Sequence, residues 1–239
     1  MSSLKDQLSD KLTELSAAEF RYIETNDIGK ASEIDLNCSG IYMEATVIYF
    51  EIKNLQFIIK ENGRRKVAQV YTMFHQVLDG IAKENNGFVN CFSPNAFLLI
   101  FPGVEDHFNE VITTAFKIGH ALTNTFKPFF SSVNGLEFAM GVDHGHIMGT
   151  KNLSDNNLEN ITWFGTTIVK AIEICKYCAR PYHVGVSSLI FHNLDESLRI
   201  AKRRILGIPK TIEFWVKGSY QFDNTKKHYY QSNHKIPFE

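Results

Sequence analysis

The sequence predicts an α+β domain in which one central, mostly antiparallel sheet is flanked by helices, with a further helix at the N-terminus. Three observations carry that expectation. Continuous apolar runs of strand length, Thr46–Ile52 and Phe97–Phe101, are interleaved with stretches of helical periodicity. Two strand-like runs, 87–92 and 95–101, stand close enough to pair as a hairpin through Ser93-Pro94. A hydrophobic fraction of 44%, with 19 Phe among 239 residues, supplies enough apolar surface for one generous core.

Residues 1–24 read as an amphipathic helix, because Leu4, Leu8, Leu12, Leu15 and Phe20 recur at three-to-five spacing among Lys, Asp and Glu. Such a helix can pack on its own domain or serve as a short dimerising or signal-transmitting element. Residues 25–42, rich in Asn, Asp, Ser and Gly, read as a linker. The main domain is expected over 43–218. It opens with a strand at 44–51 and a helical stretch at 53–85 broken near Asn62-Gly63, followed by the hairpin and a helix at 104–126. A strand at 136–143 then leads into a Gly-rich turn from Gly145 to Gly149 and a polar loop at 150–160. A helix at 166–178 and short strands near 183–186, 200–206 and 211–217 complete the domain. The last segment, 219–239, is polar and is expected to fray.

Charge and composition exclude several functions. With 25 basic against 26 acidic residues the net charge is −1, too balanced for a general grip on nucleic acid or anionic lipid. No run of about 18 apolar residues is present, so membrane insertion is not expected. The N-terminus shows no apolar signal core, and four cysteines make no disulfide framework at this length. An intracellular, cytoplasmic setting follows, a cytoskeletal or ciliary assembly included.

Taken together, the segments Thr46–Leu55, Gly87–Phe101, Gly141–Gly149 and Trp163–Ile174 resemble the catalytic domain of class III adenylate and guanylate cyclases. The resemblance implies a ferredoxin-like sandwich, active as a head-to-tail dimer with nucleotide sites at the interface. It also implies a pair of divalent metals held by two aspartates. The first aspartate aligns with Glu51, and the second with Asn95, whose amide carries no charge; the hairpin glycine before it aligns with Pro94. The purine-reading lysine aligns with Cys91, and the partner purine contact with Thr162. The ribose-orienting asparagine aligns with Val169, the transition-state arginine with Glu173, and the triphosphate lysine with Leu206. An acid where a cation should face phosphate repels the substrate.

These replacements lead to the expectation of a catalytically inactive, cyclase-like protein. It would act as a structural or regulatory subunit through its dimerisation face, in cyclic-nucleotide signalling or a larger assembly. The expected partner is another cyclase-homology chain or a larger protein complex, and no cofactor is expected. Two alternatives stay open. One is a divergent cyclase in which Glu51 and Asn95 hold Mg or Mn. The other is a sensor whose remnant cleft, lined by Cys91, Phe92 and Val169, binds a nucleotide or small molecule without turnover.

Three further motifs have plainer readings. His144 and His146 would share a strand face, which permits a His-x-His metal site, but they also suit ordinary strand and turn positions. Cys175 and Cys178 lie within a helix without a second pair, which argues against zinc. Lys202-Arg203-Arg204 is too short for a nucleic-acid patch and reads as a solvated face.

Overall fold

Strand β2 (Ser39–Lys53) is the spine of the molecule. The computed structural model describes residues 3–27, 39–103, 107–131, 133–151, 161–178, 181, 183–205 and 208–238. Helix α1 (Leu4–Ala17) is closed at its start by a reciprocal capping box between Ser3 and Asp6 and buries none of its residues. The helix expected over 1–24 therefore ends earlier. Residues Arg21–Glu24 instead form β1, which runs parallel to the first residues of β2. Of the expected linker, 28–38 lie outside the described residues, and 39–42 already belong to β2.

The long stretch after β2 divides as expected into α2 (Leu55–Asn62) and α3 (Arg64–Lys83), because Gly63 at φ +79° breaks the helical path. The predicted hairpin is present as β3 (Phe88–Ser93) and β4 (Ala96–Pro102). Helix α4 (Phe108–His120) ends in a π turn at Ala121–Thr125 and the short α5 (Lys127–Phe130).

The sheet runs in the order β10 (Trp215–Phe222), β11 (Thr225–Ser232), β7 (Val184–Ser187), β5 (Glu137–Lys151), β2, β4, β3. Strand β6 (Ile161–Phe164) pairs with the end of β5, while β8 (Ile200–Ile205) and β9 (Ile208–Glu213) form a separate hairpin. Pairing is antiparallel except for β1 with β2 and β5 with β7.

Both faces of β2 are covered. Ile48, Phe50 and Ile52 point into one core, with Phe74 and Leu78 of α3 and Val111 and Ile112 of α4. Val47 and Tyr49 point into another, with Ile168, Ala171 and Cys175 of α6 (Thr166–Tyr177). Period-two alternation thus assigns each residue of the strand to one helix layer or the other.

Two expectations are corrected by long-range pairing. The Gly-rich stretch at 145–149 is no turn: β5 continues through it, matched to β2 from Lys53↔Glu137 to Ile41↔Gly149, so the backbone hydrogen bonds are satisfied along the whole length. Gly145 stays in the strand at φ +148°, a conformation that side-chain-bearing residues rarely adopt. The tail expected to fray supplies β11, which lies between β10 and β7. Its entry is a two-residue turn at Asp223 and Asn224, both at positive φ, as tight hairpins require. Tyr230 then stacks on Phe191 of α7 (Ser188–Asn193), with ring centres 3.6 Å apart. Beyond β11, His234 stacks on Phe214 and the Phe238 amide donates to His120 Nδ1. The polar loop expected at 150–160 falls outside the described residues beyond Lys151.

Candidate functional site

Glu51 stands near the end of β2, and its odd-numbered neighbours place it on the face covered by α6. The hairpin turn is tied to this strand end by the Ile52 amide, which donates to the Asn95 carbonyl at 2.7 Å. That link brings the two positions implied by the resemblance together. Asn95 Nδ2 donates to Glu51 Oε1 at 3.3 Å and to the Ile52 carbonyl at 3.3 Å. Its side-chain oxygen accepts from Ser93 Oγ at 3.0 Å.

The other carboxylate oxygen is occupied as well. Lys53 Nζ pairs with Glu51 Oε2 at 2.5 Å and also donates to the Cys175 carbonyl at 3.2 Å. The Cys175 thiol reaches the same Oε2 at 3.7 Å. Burial works against the Lys53 charge, yet its neighbours, Glu51 among them, outweigh it and hold the ammonium pKa above its usual value. Burial pushes the Cys175 thiol up, with Glu51 adding repulsion, and pushes Cys178 up to about 12. Neither thiol is a nucleophile at neutral pH.

A divalent cation does not fit this arrangement. Mg²⁺ needs about six oxygens in near-ideal octahedral order. Glu51 is neutralised by Lys53, and Asn95 turns its amide nitrogen, rather than its oxygen, towards the carboxylate. The ammonium of Lys53 is the positive charge that stands beside Glu51.

The remaining aligned positions do not converge on Glu51 within one chain. Cys91 is exposed on β3 and lines a cavity of about 570 Å³ with Leu55, Tyr71 and Phe92. Val169 is not among the residues lining it. Val169 is 47% exposed on α6. Glu173 lies one turn further along, paired with Lys176 Nζ at 2.5 Å. Thr162 is exposed on β6, and Leu206 lies outside the described residues.

His144 and His146 have separate partners. His144 is buried, with Thr46 Oγ1 3.0 Å from Nδ1 and Glu44 Oε1 3.1 Å from Nε2. The exposed His146 stacks on Tyr42. Cys178 approaches the Met140 carbonyl at 3.8 Å. Among the described residues no group of three or more His, Cys, Asp or Glu side chains is placed to share a metal ion.

Sequence reasoning missed Lys53 and Cys175 as members of the site. The first had a signal: two residues after Glu51 on a strand means the same face. The second, 124 positions away, had none.

Asp143, on β5 facing the same layer, is 2% exposed, and its Oδ2 has no hydrogen-bond partner among the described residues. Lys170 Nζ stands 3.8 Å off. Burial holds the carboxyl pKa above its ordinary 3.8, against the opposing influence of nearby Ser187 and of the Lys170 charge. A raised acid stabilises the fold fully below 3.8, and that contribution is lost as pH rises through the folded value. Asp143→Asn is therefore expected to raise the thermal midpoint at pH 7, with the gain vanishing below about pH 3.8. Thermal denaturation at pH 7 and pH 3.5 checks this; a lower midpoint at pH 7 would mean that the Lys170 pair dominates.

The central sheet, the helices on both its faces and the juxtaposition of the β2 end with the β3–β4 turn define the catalytic-domain fold of class III adenylyl and guanylyl cyclases. The guanylyl cyclase Cya2 superposes with a TM-score of 0.65 at 11% identity, over 82% of this chain and 95% of that one. The adenylyl cyclase CyaB from P. aeruginosa gives 0.61 at 12%, over 81% and 95%. The guanylate cyclase domain of RhGC from Catenaria anguillulae, in complex with GTP, gives 0.60 at 14%, over 81% and 98%. At these identities the likeness is one of fold. Along the sequence, the chain is 20% identical to a uridylate cyclase of Rhodovulum sp. (strain MB263), over 97% of each protein. No protein-family model matches the chain. Among the described residues, no helix is long and apolar enough to cross a membrane.

Proposed function

We propose that this cyclase-fold chain has lost metal-dependent cyclisation and works as a structural or regulatory subunit through the family's dimerisation face, its partner a second cyclase-homology chain or a larger complex. The observation that supports this reading best is the state of Glu51. Its two oxygens are engaged by Asn95, Lys53 and Cys175, so the one surviving carboxylate is satisfied from within the chain. The Glu173–Lys176 pair puts a further acid where the resemblance asks for an arginine. With the metal charge and the transition-state cation both missing, positioning alone would have to carry phosphoryl chemistry, which depends chiefly on those charges.

A second reading, a divergent active cyclase, is favoured by one observation. The similarity to the uridylate cyclase covers 97% of the chain. Under it, a pyrimidine nucleotide would be the substrate, with Mg or Mn as cofactor.

The test is to incubate the purified chain with ATP, GTP, CTP or UTP and Mg²⁺ or Mn²⁺, and to measure cyclic product by mass spectrometry. The expected result is no product above that of Glu51→Ala. Turnover that disappears in Glu51→Ala would establish the second reading instead.

A further inference from the structure

The cavity beside Cys91, about 570 Å³ in volume, is a groove between α3 and the β3–β4 hairpin. Its α3 side is built from two rows of the helix, Arg64–Ala68–Thr72 and Val67–Tyr71, each stepping by four residues. From residue 64 to residue 72 the helix rises about 12 Å, so the groove has the reach of a medium-length alkyl chain. Ala68 is small and exposed, which leaves the channel open along its middle. Phe92 and Pro94 line it from the hairpin, and Leu55 and Ile59 from α2.

Each hydroxyl on this wall already donates within the protein. Tyr71 Oη donates to the Ser93 carbonyl at 3.2 Å and Thr72 Oγ1 to the Ala68 carbonyl at 3.1 Å. Ser93 Oγ donates to Asn95 Oδ1 at 3.0 Å. A nucleotide or sugar needs several placed donors and acceptors to fix its orientation. This wall offers a guest only apolar surface, the weakly polar Cys91 thiol and one cation.

That cation is Arg64. It is exposed, no acidic side chain lines the groove, and it makes no ion pair among the described residues. Arg65 and Lys66 follow it, and no acid stands in the first turn of α3 to offset them. The groove therefore has a polarity: positive where α3 starts, apolar further along the helix.

We infer that this groove binds a free single-chain amphiphile with a carboxylate head, the head on the Arg64 guanidinium and the chain along Val67, Ala68 and Tyr71 against Phe92. The planar fork of an arginine matches a carboxylate with two parallel hydrogen bonds. Burial of the chain supplies the rest of the affinity, about tenfold for each two methylenes taken out of water. The volume lies in the range of small-molecule sites, about 300–1,000 Å³. Ser93 and Pro94 line the groove, so a bound chain lies beside the turn whose Asn95 holds Glu51. The inference does not depend on whether Glu51 supports catalysis.

The test uses the full chain with butyrate, octanoate, decanoate and 1-decanol, and with phosphatidylglycerol vesicles. Cys91 is the reporter, because it is exposed on the groove wall while Cys175 and Cys178 are buried. Its alkylation by N-ethylmaleimide, followed by mass spectrometry of the Cys91 peptide, is expected to be slowed saturably by decanoate below its micelle concentration. Octanoate should require about tenfold more, and butyrate should give no protection at the same concentration. Arg64→Gln is expected to weaken decanoate about tenfold and to leave 1-decanol unchanged, a split that lost packing alone would not produce. Ala68→Phe, at an exposed position, fills the groove and should abolish protection by both without lowering the melting temperature. Butyrate as effective as decanoate would mean a plain anion site, and protection by vesicles alone a membrane-docking face. Either result overturns the inference, as does decanoate binding that is absent at millimolar concentration or untouched by both variants.

Discussion

Glu51→Gln destabilises the domain by about 1–3 kcal/mol, the cost of leaving a partly buried polar partner unmatched. The expectation follows from how the carboxylate is held. The side chains of Lys53 and Glu51 are only 22% and 21% exposed, and the ammonium has Glu51 as its carboxylate and the Cys175 carbonyl as its further acceptor. Removing the negative charge leaves that ammonium with the Cys175 carbonyl and a neutral amide, in a place where burial already works against it. In a metal-holding cyclase site the outcome would have the opposite sign, since a carboxylate awaiting a cation is poorly compensated until the cation arrives. Urea denaturation at pH 7 in the presence of a chelator distinguishes the two. A gain in stability would show that Glu51 is an uncompensated ligand, and would sink the proposal that metal-dependent cyclisation has been lost. The Glu51→Gln/Lys53→Met double variant should recover most of the loss, because the two side chains act as a unit.

The other large effect is at Gly141. A Cβ on this residue would lie 1.9 Å from the Ala171 carbonyl oxygen and 2.6 Å from the Cys175 amide nitrogen. Both are backbone atoms of α6, so no rotamer change can relieve the overlap, and the whole helix would have to lift from the sheet. Ile168, Ala171, Ile174 and Cys175 would lose their packing against β2 and β5 together. Gly141→Ala is therefore expected to cost about 3 kcal/mol or more, a large share of the 5–15 kcal/mol typical of a domain. Thermal denaturation and soluble yield report it. A variant of wild-type stability would mean that α6 stands further from β5 than described. The position also bears on the site, because α6 carries Val169, Glu173 and Cys175, and lifting it would free Lys53 from the Cys175 carbonyl.

How far the sequence was legible differs from element to element. The β3–β4 hairpin and the break at Asn62-Gly63 were readable because their causes are local: a tight turn and a residue that leaves helical φ. The full length of β5 and the insertion of β11 beside β7 were not. Each depends on a partner strand far along the chain, and β11 is polar enough over Thr225–His228 to pass for a tail. The Asp223-Asn224 turn was the local clue to that hairpin. Within the site, the meeting of Glu51 with Asn95 follows from the same hairpin that the sequence predicts.

By itself, the sequence determined which side chains stand at the end of β2 and in the turn beside it: one carboxylate, one neutral amide, and a lysine two residues further on. Those identities settle what charge is available there, whatever the fold does with it. Only the tertiary structure decided how that charge is used. Packing α6 against β2 takes water from Glu51 and Lys53, and a charge withdrawn from water must find a partner. The partners within reach were Lys53, Asn95 and Cys175, and they close the site on itself.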